Sequence, residues 1–302
     1  MTATFSRYVE LARKVAGEFA ALPQVEAVAL GGSQVGGTID TSSDIDLYVF
    51  TRADIALAER EIIVHRCGGA SRSSLGLTFW GPGDEWFDAA TGIEVDIVYF
   101  DAAWMENQMH RVLREHQASL GYSTCLWYTV RQSLALYDPH GWFAVLQVEG
   151  QQEYSELLRR NIIALNHPVL RSVIPAYAHQ LEKAVQRRDL VSVNHRLAAL
   201  FASYFDVVFA LNRVLHPGEK RLVARATSLC HKLPFDMATD IEAVLRASAT
   251  ADQELMAHVD RLLNRLDDLL DQEGCQVPYH LLKDLPDLAC GEPGSGNLNR
   301  AG

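Results

Sequence analysis

Two aspartates one residue apart, Asp44 and Asp46, follow the tripeptide Gly31-Gly32-Ser33 at short range, and a second acidic pair, Glu94 and Asp96, lies in a later apolar run. Successive side chains of a strand point to opposite faces, so Asp44 and Asp46 share one face while Ile45, Leu47 and Val49 point into the core. The same alternation in Ile93-Glu94-Val95-Asp96-Ile97-Val98 sets Glu94 and Asp96 on one face and Ile93, Val95 and Ile97 on the other. If the two strands are neighbours, Asp44, Asp46 and Asp96 converge. Magnesium prefers oxygen ligands and keeps several waters, so two or three aspartates together with substrate phosphates suffice to hold one or two ions. Gly31 and Gly32 end a strand where missing side chains let the backbone approach a phosphate, and Ser33 can donate its hydroxyl at the start of the next helix. The chemistry these residues fit is transfer of a nucleotidyl group from a magnesium-bound triphosphate, which needs neutralised phosphate charge, an aligned attacking oxygen and a stabilised pyrophosphate.

Other phosphate and nucleophile motifs fail. Gly32 and Gly37 are followed by Thr38 in place of the lysine a Walker A loop needs, and no G-x-G-x-x-G occurs. Val35 stands where a nucleophile elbow around Ser33 would need glycine. The histidines have no H-E-x-x-H spacing and are assigned no metal. Arg160 and His167 match the loose Arg-x(4 to 6)-His pattern of HEPN ribonucleases, but Pro168 marks a helix end there. Trp80, Trp86 and Trp104 fit either stacking on a base or the core, the commoner place for an aromatic ring.

Gly31-Gly32-Ser33, then ten residues, then Asp44-Ile45-Asp46-Leu47 resembles the signature of the DNA polymerase β-like nucleotidyltransferase superfamily, in particular its antibiotic-modifying (aminoglycoside or lincosamide type) and minimal branches. The resemblance covers roughly the first 140 residues. It implies that Asp44 and Asp46 bind magnesium and that Asp96 is the third carboxylate, which binds metal and activates or orients the acceptor hydroxyl. Glu94 is the alternative base. Antibiotic nucleotidyltransferases also carry a helical domain, from which a lysine covers the triphosphate; Lys220, beside Arg221, is the candidate for that nucleotide contact.

These residues need elements to hold them. Residues 5–22 have apolar positions at helical spacing. Val25 to Leu30, Ile45 to Phe50, Leu75 to Trp80 and Ile93 to Phe100 are strand candidates, with Gly81-Pro82-Gly83 and Thr91-Gly92 as turn signals. From about residue 102 helices dominate, interrupted by a short strand and turn over 134–141. The apolar helix over 190–213 is expected at the centre of a bundle. Thr250-Ala251-Asp252-Gln253 resembles a capping box ahead of an amphipathic helix that Gly274 stops. The expected class is α+β: a nucleotidyltransferase domain over 1–140 with a small mixed sheet flanked by helices, a helical bundle over 141–290, and a disordered tail over 291–302.

With 302 residues, 48% of them hydrophobic, and no apolar run near the roughly 20 residues of a membrane span, the chain reads as globular. The N-terminus lacks a signal pattern and the five cysteines form no pairs, so a cytoplasmic protein with reduced thiols is expected. A net charge of −11 disfavours nucleic acid and suits a small polyhydroxylated cation, such as an aminoglycoside, in an acidic cleft between the domains, and no membrane partner is expected. The leading expectation is transfer of AMP from ATP, or of another nucleotide from its triphosphate, to a hydroxyl of such an acceptor. Rival readings are adenylylation of a protein or tRNA, as in toxin and antitoxin systems, and a non-catalytic nucleotide-binding module. Oligomerisation is left open.

Overall fold

The computed structural model describes residues 3–31, 44–79 and 81–275, with side chains from residue 7 onward. The chain begins with α1 (Ala3–Phe19), β1 (Val25–Leu30), β2 (Ile45–Thr51), α2 (Leu57–Arg66), β3 (Ala70–Leu77), β4 (Gly83–Asp88) and β5 (Glu94–Asp101). It continues through α3 (Ala102–Leu113), α4 (Cys125–Gln132), β6 (Leu134–Tyr137) and α5 (Trp142–Glu149). Helices follow: α6 (Glu156–Asn166), α7 (Pro168–Arg171), α8 (Tyr177–Gln186), α9 (Leu190–Leu211), α10 (Leu222–Leu229), α11 (Met237–Ala247) and α12 (Gln253–Gln272). The class is α+β, as the sequence predicts. Among the described residues the chain divides into two compact units, one of residues 3–111 and 126–152, the other of 112–125 and 153–275. None of the described helices is long and apolar enough to cross a membrane.

The first unit is built on a six-stranded sheet of order β3-β4-β5-β2-β1-β6, in which β2 and β5 run parallel and the other pairs antiparallel. One face is the hydrophobic core. Val28, Leu30, Ile45, Leu47, Val49, Val95 and Ile97 cluster there with Leu11, Ala12, Val15 and Phe19 of α1. Their alternation with Asp46, Tyr48, Glu94 and Asp96 fixes which face each carboxylate takes, because a slip of one residue would turn every apolar side chain outward. Farther along the opposite face, aromatic rings close the sheet against α5. Phe50 stacks on Phe100 at 5.8 Å and meets Phe143 at 5.1 Å, and Trp104 lies parallel to Phe100 at 5.7 Å.

β4 has polar residues facing the core, and each is satisfied. Asp84 is buried, accepting hydrogen bonds from Tyr99 Oη at 2.6 Å and the Gly76 backbone N–H at 2.7 Å and pairing with Arg60 Nη1 at 3.1 Å. The Arg60 guanidinium also sits 5.1 Å from the Tyr99 ring centre. Asp88 accepts from the backbone and hydroxyl of Thr91, closing the turn into β5. Removing one partner of a buried ion pair leaves the other charge uncompensated. Asp84→Ala is therefore expected to lower unfolding stability by about 3 kcal/mol in a denaturant titration, and Arg60→Met to cost less, because Asp84 keeps its two hydrogen-bond donors.

In the second unit α9 packs against α6 and α8, with Val193, Leu197, Leu200 and the stretch from Ser203 to Leu211 buried. α12 lies along α11, where Arg261 and Arg265 hold the buried Asp240 at 2.8 and 2.7 Å. Gly274, with φ of 62°, follows α12 as expected, but the cap is Asp252, which accepts from Glu254 N at 2.9 Å. Thr250 cannot serve because Ala251 adopts a left-handed φ of 47°, which turns the chain between them.

Within that unit a second buried carboxylate organises the segment before α4. Asp206 of α9 accepts from the Ser123 hydroxyl at 2.6 Å, the Ser123 backbone at 3.2 Å and Asn166 Nδ2 at 3.2 Å. Asn166 in turn accepts from Gly121 N at 2.8 Å and donates to Ser119 O at 2.8 Å. Burial pushes the Asp206 carboxyl up to about 7, against the opposing pull of the Ser123 donors. The four cysteines among the described residues are buried, and burial raises Cys67 and Cys230 to about 11 and Cys125 to about 12, which keeps these three protonated.

Candidate active site

The site is set by strand register. β2 and β5 lie side by side in parallel, with Ile45 opposite Val95 and Asp46 opposite Asp96. Residues opposite one another share a face, so Asp46 and Asp96 stand together where Ile45, Leu47, Val95 and Ile97 are committed to the core. One step earlier in the same register, Asp44 at the entrance to β2 matches Glu94 at the start of β5. β4 then lies antiparallel on the far side of β5 and sets Glu85 opposite Asp96, with Phe87 opposite Glu94. Asp46, Asp96 and Glu85 therefore form one row across three adjacent strands, and Asp44 and Glu94 stand beside it. All five are partly buried.

Glu85 is the residue the sequence reading misses. It lies in a strand whose core-facing positions are Asp84, Trp86 and Asp88, so the apolar alternation that reveals β2 and β5 is absent from β4. A signal was present in Glu85 and Phe87 alternating with a fully buried Trp86, but it needs the partner strand to become legible.

The carboxylates act on one another. Burial raises the Glu94 carboxyl above its ordinary range, the negative charges of Asp44 and Glu85 raise it further, and Arg72 works in the opposite direction. A set of oxygen donors crowded to this extent suits a hard divalent cation. Among the described residues no three His, Cys, Asp or Glu side chains close into a ready-made ligand group. Magnesium does not need one: one or two carboxylates plus substrate phosphates are its ordinary protein complement, and Asp46 with Asp96 could supply two.

Gly31 stands at the end of β1 and donates its N–H to the Asp46 carbonyl at 2.9 Å. The Tyr48 ring lies across its α-carbon: a β-carbon here would fall inside the ring, 2.7 Å from Cζ and 2.9 Å from Oη. Glycine at 31 thus has a packing reason next to the carboxylate row. Gly31→Ala is expected to displace the buried Tyr48 ring and cost about 1–3 kcal/mol, read as a lowered melting temperature.

Gly32 and Ser33, the rest of the expected phosphate seat, lie outside the described residues, as does Trp80. Trp86 is core, and Trp104 packs on Phe100. Lys220 is exposed in the turn before α10, beside Arg221, whose φ is 57°. His167 ends α6, bonds Asp267 at 2.6 Å and is pushed down to about 4 by burial and by the charge of Arg171, so it is a neutral structural residue at neutral pH. Arg160 is exposed.

No family model matches the chain, and no curated protein does. Among solved structures it is similar to a nucleotidyltransferase-like protein from Exiguobacterium sibiricum. The two share 12% identity and a TM-score of 0.41 over 87% of this chain and 74% of that one, a likeness too distant to carry an inference about activity. The functional reading therefore rests on the residues themselves.

Proposed function

We propose that the protein is a nucleotidyltransferase that moves a nucleoside monophosphate, AMP from ATP in the first instance, onto a hydroxyl of a small polyhydroxylated acceptor. The observation that carries this reading is the register that sets Asp46 opposite Asp96, in a chain where Asp44-Ile45-Asp46 follows Gly31-Gly32-Ser33. Asp44, Asp46 and Asp96 would hold magnesium, up to two ions. When bound, magnesium supplies neutralisation of the phosphate charge and of the departing pyrophosphate. Gly31, Gly32 and Ser33 would seat the phosphates, and Lys220 would contact them as a point charge.

The acceptor oxygen forms its bond to the α-phosphorus while the bond to the bridging oxygen breaks and pyrophosphate leaves. Asp96 or Glu94 takes the hydroxyl proton. Both carboxylates stand on the Asp46 face of β5, two residues apart, so either meets an acceptor placed over that strand.

The test is incubation with α-labelled ATP, magnesium and a panel of aminoglycosides, lincosamides and simple polyols, with pyrophosphate and labelled acceptor as readouts. Stoichiometric release with one acceptor class supports the reading. No release with any acceptor, in the presence of either magnesium or manganese, counts against it.

A further inference from the structure

We propose that Glu85 meets the acceptor rather than the nucleotide and orients the attacking hydroxyl, an inference that rests on the nucleotidyl-transfer reading above. One line of residues crosses the sheet. Gly31 ends β1 and is bonded to Asp46 of β2, Asp46 stands opposite Asp96 of β5, and Asp96 stands opposite Glu85 of β4. Displacement at phosphorus sets the attacking and leaving oxygens on opposite sides of the reacting atom. With the leaving end of the triphosphate toward Gly31, the attacking oxygen arrives from the side of β5 and β4.

Distances across the sheet separate the roles. Neighbouring strands lie about 4.8 Å apart, so Glu85 stands roughly 10 Å from Asp46, with Asp96 between them. With magnesium–oxygen bonds about 2.1 Å long, an ion placed between Asp46 and Asp96 lies nearer β2 and β5 than β4. A hydroxyl poised about 3 Å from phosphorus, over Asp96, is within reach of the Glu85 carboxylate, which has one methylene more than aspartate.

The far face of β4 shows why this residue is held firmly. A slip of one residue between β4 and β5 would send Glu85 to the core face and bring Asp84 into the row. Tyr99 prevents this, because its hydroxyl ties β5 to Asp84 at 2.6 Å while Arg60 and Gly76 N hold the same carboxylate. A group that orients a substrate needs such fixed support. In the transfer step Glu85 accepts a hydrogen bond from a neighbouring hydroxyl of the acceptor and so fixes the attacking one, whose proton passes to Asp96 or Glu94 as pyrophosphate takes the electron pair of the broken bond.

The test compares the wild type with E85Q, E85D and D46N in two measurements: calorimetric titration with magnesium and α,β-methylene-ATP, and steady-state transfer from ATP to the acceptor that the panel identifies. E85Q is expected to bind the analogue within twofold of wild type while its kcat/KM for the acceptor falls at least tenfold, with E85D between the two. D46N is expected to lose analogue binding. E85Q that loses the analogue as D46N does, or that keeps the wild-type kcat/KM for the acceptor, overturns the assignment. A wild type that neither binds the analogue nor releases pyrophosphate overturns the nucleotidyl-transfer reading itself and the role of Glu85 with it.

Discussion

Asp46→Asn is expected to slow nucleotidyl transfer roughly a thousandfold, the equivalent of about 4 kcal/mol of transition-state stabilisation. The substitution keeps the volume and polarity of the side chain but removes the charge that a divalent cation needs. Asp46 sits between Gly31 and Asp96 in the carboxylate row, so in the proposed reaction its charge would serve both the metal and the phosphates. Its side chain is partly buried and lies outside the core formed by Ile45 and Leu47, so the fold should tolerate the change. Steady-state pyrophosphate release at saturating ATP and magnesium, beside a melting curve, measures the two effects separately. A fall of less than tenfold with an unchanged melting temperature would remove Asp46 from the chemistry.

The second large effect is on stability and comes from Asp206. Full burial raises its carboxyl from the ordinary 3.8 to about 7 in the folded chain. Below the unfolded value both states hold the proton and the favourable contribution is complete. Between the two values the folded chain keeps a proton that the unfolded chain has released, so stability falls as pH rises through about 7 and then levels. Three pKa units correspond to about 4 kcal/mol. Glu26 and Glu156 have the opposite slope, since hydrogen bonds from Arg52 and Arg159 hold their carboxyls below the usual range and their contribution is lost as pH falls. The informative quantity is therefore the difference between wild type and Asp206→Asn in urea unfolding from pH 4 to 8. That difference should change by several kcal/mol across the range, and a flat difference would show that Asp206 has an ordinary affinity for its proton.

The sequence reading was most legible where a strand is a short, uninterrupted apolar run. β1 and β2 lie where Val25 to Leu30 and Ile45 to Phe50 place them, because each has apolar residues on the core face and no Pro or Gly within the run. β5 follows for the same reason, and its parallel pairing with β2 brings Asp46 and Asp96 together as the alternation allows. β4 was hidden because Asp84 and Asp88 occupy core-facing positions, where Tyr99, Arg60 and Thr91 satisfy them from other elements. With β4 hidden, Glu85 was hidden too. α2 was missed because only Ile63 and Val64 of its ten residues are buried, too short an apolar stripe to show a period. The Asp206 network joins residues up to 83 positions apart, which no local pattern can reveal.

On the proposed function, the row of carboxylates across β2 and β5 binds a metal-bound nucleotide. Calorimetric titration of a non-hydrolysable ATP analogue, with and without magnesium, into wild type and the Asp46→Asn/Asp96→Asn double variant tests it most directly. The expected result is saturable binding by wild type that requires magnesium and weakens at least tenfold in the double variant. Equal affinity in the two proteins, or wild-type affinity indifferent to magnesium, would contradict the claim.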